Sequence, residues 1–389
     1  MLSTKLCRRD TVADAKTVAE SGTSRGRGFR VSADLAAPPA SSFLRYDWKR
    51  STTCNDGRED PYEFLELLVA AHGDSVLFGL GHGDYFVYRG GTAGRPPSLS
   101  LLPTKGLLDR FKEPDHVPLE QTTTGLLCRS EDELLVVELG IWNHSDMPRG
   151  TVDLNVLRIG SWEWETRWAV PVVGSNSSRG YRGLKRWHEP DGVIPVGYRF
   201  LCWDDYSSGF LVCDMADPNA MLRSLPLPVE GRRGNRRYNH YEDEDDRMQY
   251  CRNMCRVGAN SLRGTCPHSS FTFTVTTWTM SLRMDEEMVW VMDGVLDCEE
   301  LWDLPGYEGL PYVPPSCPIV SPANPDIICF KVSDRCLLNA SYHLESVWML
   351  EVDTKRKELL SIVKCSKDPY DHLPAKFHLQ WKLVNYCTS

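Results

Sequence analysis

Short runs of alternating or continuous apolar residues recur along this chain, separated by brief polar or glycine-bearing turns. "SVLFGL" and "DYFVYRG" flank "GHG"; "GLLCRS" and "ELLVVELG" flank "ED"; "TVDLNVLRI" and "WEWETRWAV" flank "GS". "YRFLCWDD" and "GFLVCDM" flank "YSS"; "FTFTVTTWTMSLR" and "MVWVMDGV" flank "MDEE"; "SVWMLEVD" and "KELLSIVKC" flank "TKR". Two strand-length runs joined by a tight polar turn form a hairpin. Amphipathic helical periodicity is nearly absent. The stretch "FLELLVAA", residues 64–71, reads as a short helix or a buried strand. It is far shorter than the ~18 apolar residues that would span a bilayer.

The hairpins pair into sets of four strands: 125–140 with 151–170, then 193–228, 254–295 and 317–364, with an N-terminal set over 31–103. Four strands per set is the unit of a propeller blade. The pattern therefore predicts an all-β fold with few helices: a single β-propeller-like body of roughly five to seven irregular four-stranded blades. Two packed β-sandwich-like sheets would carry a similar strand content. Residues 1–30 are polar and rich in Ser, Gly and Arg, and read as a disordered segment ahead of a domain at 31–389. Inside that domain, residues 230–250 form a charged insertion. Arg232, Arg233, Arg236 and Arg237 are followed by Glu242, Asp243, Glu244, Asp245 and Asp246. Such blocks are ordinarily solvated loops; the sharper reading is a partner-binding loop built on the four arginines.

Composition narrows the function classes. The net charge is −9 over 389 residues, which argues against a general affinity for nucleic acid or anionic membrane. Twelve Trp and fifteen Tyr suit pleated, half-buried surfaces. The fourteen Cys are scattered, and the first twenty residues carry Asp10, Asp14 and Glu20 with no apolar core of a signal peptide. The expectation is a protein of the cytoplasm or nucleus, with reduced thiols mostly buried as small apolar side chains.

Candidate chemistry thins out on inspection. Gly79, Gly81 and Gly83 precede "DYFVYR", which alternates as a strand, so they mark a hairpin and not a dinucleotide turn leading into a helix. Cys251, Cys255, Cys266 and His268 could close a tetrahedral zinc site, but the same segment reads as strand, turn, strand. Asp204 and Asp205 are adjacent in a strand and face opposite ways, so they form no catalytic dyad by themselves. No catalytic constellation emerges. The expectation is a non-enzymatic protein without a cofactor.

The stretch "RFLCWDDYSSGFLVCDMADPNAMLRSLPLPVEG", from residue 199, resembles the hallmark of the plant family called domain of unknown function 1618, which is abundant in grasses. The matching positions include Trp203, Asp205, Tyr206, Gly209, Asp214, Pro226 and Pro228. Similar segments occur in order at 84–103, 273–280, 296–302, 309–332 and 347–360, while the family's opening strand is not recognisable in residues 1–27. The family pattern is similar to the propeller-like domains that follow F-boxes in plant adaptors. The resemblance implies a scaffold that binds a protein partner, with the motif residues structural: Trp203 packing between blades, Asp205 and Tyr206 shaping a turn, and Gly209 reversing the chain. The alternative is an enzyme or small-molecule binder that uses the central cavity of the ring.

Overall fold

Among the described residues almost every element is a strand, and these strands fall into six consecutive sets of four. The computed structural model describes residues 2–8, 15–35, 42–48, 66–80, 83–103, 118–130, 133–140, 150–174, 190–206, 209–228, 253–257, 261–267, 274–313, 315–321, 324–333 and 346–364. Blade 1 holds β1 (Leu2–Arg8), β2 (Ala19–Gly22), β3 (Gly28–Asp34) and β4 (Ser42–Trp48). Blade 2 holds β5 (Glu66–His72), β6 (Ser75–Leu80), β7 (Asp84–Arg89) and β8 (Ser98–Leu101). Blade 3 holds β9 (Thr124–Cys128), β10 (Leu134–Gly140), β11 (Thr151–Ile159) and β12 (Trp164–Gly174). Blade 4 holds β13 (Gly192–Val196), β14 (Phe200–Asp205), β15 (Gly209–Asp214) and β16 (Leu222–Leu225). Blade 5 holds β17 (Asn253–Val257), β18 (Ser261–Pro267), β19 (Thr274–Ser281) and β20 (Trp290–Asp297). Blade 6 holds β21 (Ser316–Val320), β22 (Ile327–Ser333), β23 (Val347–Asp353) and β24 (Glu358–Lys364).

In blades 2 to 6 each strand pairs antiparallel with the next. The first strands of successive blades lie against one another, β1 on β5, β5 on β9, β9 on β13, β13 on β17 and β17 on β21. That places them on the inside. A strand alternates its side chains between two faces, so such a blade has two surfaces to bury. The core follows this rule. Phe29, Val31 and Leu44 meet Leu68, Phe78 and Phe86 between blades 1 and 2. Val69, Leu77 and Val87 meet Leu126, Leu134 and Val136 between blades 2 and 3. Leu135, Val137 and Leu154 meet Leu201, Trp203 and Leu211 between blades 3 and 4. Phe200, Phe210 and Val212 meet Met280 and Leu282 between blades 4 and 5. Val275 and Leu296 meet Ile328, Phe330 and Leu350 between blades 5 and 6. The other face of blade 6 buries Ile319, Cys329 and Met349. The fold is therefore β-propeller-like, with six blades among the described residues; two separate sandwiches would leave interior sheets covered on one face only.

The N-terminal segment departs from the sequence-based expectation. Residues 1–30 were expected to be disordered, but they supply β1, a 3-10 turn at Ala15–Thr17, β2 and the start of β3. Leu6, Ala19 and Phe29 of this segment are buried in the first core. The expected single N-terminal set is consequently two blades. Strand β1 enters beside β4 in parallel, reaches β5 through a Lys5–Leu67 pair, and so joins both blades in one eight-stranded sheet. In line with the expectation of few helices, "LDCEELW" contains a short one, α1 (Cys298–Trp302). The Asp297 side chain accepts from the Glu300 N–H while the Glu300 carboxylate accepts from the Asp297 N–H, a reciprocal cap that starts the helix. The charged insertion 230–250 lies outside the described residues.

Blades 3 and 4 are also continuous. The last residues of β12 leave β11 and pair in parallel with β16, Val172 opposite Leu222 and Val173 opposite Arg223. The strand bends at Ala169, which has φ 53° in a register shift opposite Val152–Leu154. The Ala169 N–H, turned out of the ladder, donates to the buried Asp153 carboxylate at 2.8 Å. Replacing that carboxylate orphans a backbone donor. Asp153→Ala is expected to destabilise the fold by about 1–3 kcal/mol, read as a lower denaturant midpoint at unchanged slope.

Candidate functional site

The hairpin β14–β15 and its surroundings hold the densest group of buried polar side chains in blade 4. Asp204, Asp205 and Asp214 are all buried. The strand register separates the first two. Leu201 and Trp203 face blade 3, as does Asp205 by alternation; Phe200 and Cys202 face blade 5, and Asp204 with them.

Trp203 is fully buried, and its indole N–H donates to the carbonyl of Thr123 at 2.8 Å, 80 positions earlier and just ahead of β9. The ring thus fills the interface of blades 3 and 4 while its one polar atom fastens the two. Two other tryptophans repeat the device: Trp164 donates to the Pro103 carbonyl across blades 2 and 3, and Trp290 to the Pro226 carbonyl across blades 4 and 5. Inner strand β9 comes close enough to blade 4 that a Cβ on Gly125 would lie 2.7 Å from Val193 and 3.0 Å from Leu201.

Asp205 is the last residue of β14 and pairs with Gly209, the first of β15. The turn is held from elsewhere: the Tyr206 N–H donates to Asp191, just before β13, at 2.7 Å. Gly209 has φ +135°, and a Cβ there would stand 2.4 Å from the Leu225 carbonyl oxygen on β16. Asp214 closes the opposite end of the hairpin. It accepts two hydrogen bonds from Arg199 Nε and one from Nη2, at 2.5–2.9 Å, and one from the Ala216 N–H at 3.0 Å. Pro226 contributes its carbonyl to Trp290. Pro228 is half-buried after β16.

Asp204 differs from its neighbours. It is 2% exposed, its Oδ1 has no hydrogen-bond partner, and that oxygen lies against Gly192, where a Cβ would be only 3.1 Å away. Burial, reinforced by the nearby Asp191 carboxylate, pushes its acid up to about 7, opposed by a hydrogen bond from the Tyr206 side chain. Below that pH it is a neutral acid, the form that an apolar interface between blades tolerates.

The remaining sequence candidates are placed as follows. Arg232, Arg233, Arg236, Arg237, Cys251 and His268 lie outside the described residues. Cys255 and Cys266 lie on β17 and β18, opposite Arg263 and Thr276, and their side chains are likewise not described. Among the described residues, no group of three or more His, Cys, Asp or Glu is arranged to hold a metal. The described cysteines are free: Cys202, Cys213, Cys298 and Cys329 are buried and Cys128 half-buried. Burial raises the thiols of Cys128 to about 11 and of Cys213 and Cys329 to about 12, which keeps them protonated and poorly nucleophilic. No helix among the described residues is long and apolar enough to cross a membrane.

Asp191 and Arg199 escaped the sequence reading. Asp191 sits in "PDG", a turn signal, but its partner lies across the register of β13 and β14.

The family comparison covers this hairpin. Residues 203–329 match the family described as "Protein of unknown function (DUF1618)". The match opens on Trp203 itself and runs through blade 5 to Cys329 on β22 of blade 6. The matched stretch therefore holds the Trp203 anchor, the reversal at Gly209 and the strands of blade 5. No curated protein matches the sequence. Solved structures similar in form include the WD40 domain of SCAP from fission yeast, with 11% identity, TM-score 0.33, and 90% of this chain and 77% of that one covered. The β-propeller domain of Cps50 (Swd1) from Myceliophteria thermophila has 6% identity, TM-score 0.31, and coverage of 81% and 90%. Apo AztD from Citrobacter koseri has 10% identity, TM-score 0.30, and coverage of 91% and 75%.

Two outcomes follow from this geometry. Gly209→Ala forces a Cβ onto a backbone carbonyl at a positive φ and is expected to cost about 2–4 kcal/mol, visible in chemical denaturation. Asp204 gives a pH dependence. Its acid is near 7 folded and 3.8 in the reference state, so between about pH 4 and 7 the native state holds the extra proton. Its contribution is full below that window and is lost as pH rises through 7. Asp204→Asn, which mimics the neutral acid, is expected to flatten the fall in denaturation midpoint between pH 5 and 8; an unchanged slope would assign the proton elsewhere.

Proposed function

We propose that this chain is a non-enzymatic β-propeller-like scaffold that binds a protein partner in the cytoplasm or nucleus. One observation carries the reading. The large apolar side chains that the fold leaves exposed stand on turns and outer strands: Trp168 at 47%, Tyr198 at 67%, Tyr312 at 62%, and clusters on β20 and β24. Exposed aromatic and aliphatic groups on a rigid frame are the anchors of protein interfaces. Free, buried thiols fit a reducing compartment. In this reading the whole domain is a plant DUF1618 protein, akin to the propeller-like domains associated with F-boxes, and its rim is the part that meets the partner.

The observation that favours the alternative, a small-molecule or catalytic site, is the neutral acid of Asp204. At 2% exposure, among residues packed between blades 4 and 5, it offers a solute no contact. The test is affinity purification of the tagged full chain with crosslinking mass spectrometry. The expected result is a stoichiometric protein partner crosslinked through the outer strands and turns. A chain that returns no partner, yet is thermally stabilised by a compound from a metabolite panel, would reverse the order of the two readings.

A further inference from the structure

Strand β20 is the outer edge of blade 5: among the described strands it pairs with β19 alone, so one side of its backbone faces no other strand of the sheet. With Val289 just ahead of it, at 60%, the strand carries the largest exposed aliphatic group among the described residues, Val291 at 61%, Met292 at 62% and Val295 at 46%. The bulge at Asp293, where Trp278 pairs with Met292 but Thr277 with Gly294, shifts the alternation by one. Met292 and Val295 therefore share the face turned toward blade 4, in line with Trp290, which packs on Phe210. Blade 4 does not cover them, because its outer strand β16 spans only Leu222–Leu225.

The surroundings of this edge are acidic. Between Ser281 and Glu300 the chain has seven carboxylates and one basic residue, Arg283. Asp285, Glu287, Asp293, Asp297 and Glu299 are exposed, and Arg283 is occupied by Glu286 at 3.0 Å. The guanidinium of Arg223 is held by the carbonyls of Met284 and Glu286. An apolar edge strand set among carboxylates is complementary to one kind of partner: an extended segment whose apolar residues alternate with lysine or arginine. The fold already shows its outer edges accepting a further strand, in the parallel pairing of β12 with β16.

We propose that β20 is a docking strand for such a basic–apolar segment of a protein partner, which adds to blade 5 by main-chain hydrogen bonds. The proposal rests on the scaffold reading and names its surface. The apolar side chains of the segment lie over Met292 and Val295, and its cations face the carboxylates around them.

The test uses the full chain and a labelled ten-residue peptide alternating valine and lysine, followed by fluorescence anisotropy. Saturable binding is expected, weakened by added salt, and at least tenfold weaker for a valine–glutamate peptide. Met292→Lys with Val295→Lys, both at exposed positions, is expected to keep the thermal melt and weaken the lysine peptide at least tenfold. Equal binding of the two peptides, no binding of either, or binding unaffected by the double variant overturns the proposal. Intrachain crosslinks from β20 to residues 365–389 would give the edge to the protein's own tail and also overturn it. A natural partner retained by the double variant would dismiss this edge while leaving the scaffold reading intact; a chain with no partner at all would remove the scaffold reading first.

Discussion

A four-stranded sheet with apolar residues on both faces cannot be stable in water unless something covers each face, and the rest of this structure follows from that constraint. The strands of blades 2 to 4 include β6, β10, β14 and β15, in which every residue is buried. Such strands belong to interior sheets. Placing blades side by side, inner strand against inner strand, lets each serve as its neighbour's cover, so the number of exposed faces does not grow with the number of blades. The cost moves to the rim, where outer strands have no following strand. Two of these edges relieve each other, where the end of β12 pairs with β16. Edge β20 has no such relief among the described strands, and its apolar residues stay in water.

The apolar cores between blades are chemically alike, so packing alone distinguishes one blade order from another only weakly. The polar ties vary more, although a tryptophan–carbonyl bond recurs at three of the interfaces. The Tyr88 hydroxyl donates to the Thr17 carbonyl between blades 1 and 2. The Cys128 N–H donates to His72 Nδ1 between blades 2 and 3, Trp203 reaches Thr123 between 3 and 4, and Arg223 reaches the turn before β20 between 4 and 5. Lys357 pairs with Glu300 between 5 and 6. Each leaves a buried or half-buried polar group unsatisfied if the wrong blades meet, and an unmade buried hydrogen bond costs more than a made one contributes. Specificity of assembly thus sits in a few polar atoms.

How much of this was legible in the sequence depended on how the signal was carried. Hairpins with long apolar runs and short turns, such as β10–β11 and β22–β23, announce themselves by period and punctuation. Blade 1 does not. The strands "LSTKLCR" and "AESG" are mostly polar, and their burial rests on Leu6 and Ala19, too few to make a pattern. The reciprocal cap of α1 was readable as Asp-x-x-Glu, but a five-residue helix gives no periodicity to accompany it. At the candidate site the opposition of Asp204 and Asp205 follows from strand alternation alone. The roles of Asp191 and Arg199 depend on register and tertiary approach, which no local spacing encodes.

The acid of Asp204 shows how such a site can be polar without being open. An ionised carboxylate at an interface lined by Phe210 and Met280 would be desolvated with too little compensation, since its Oδ1 meets no donor and the neighbouring Asp191 is another carboxylate. Protonation removes most of that penalty, and the Tyr206 hydroxyl supplies the remaining contact. The neighbouring carboxylates solve the same problem by pairing instead: Asp214 takes a bidentate guanidinium and Asp153 a displaced backbone N–H. In one pair of blades, then, three buried aspartates stand for three solutions to one electrostatic problem. The solution at Asp204 works through its proton, so a change of pH near neutrality reaches the interface of blades 4 and 5 through that residue.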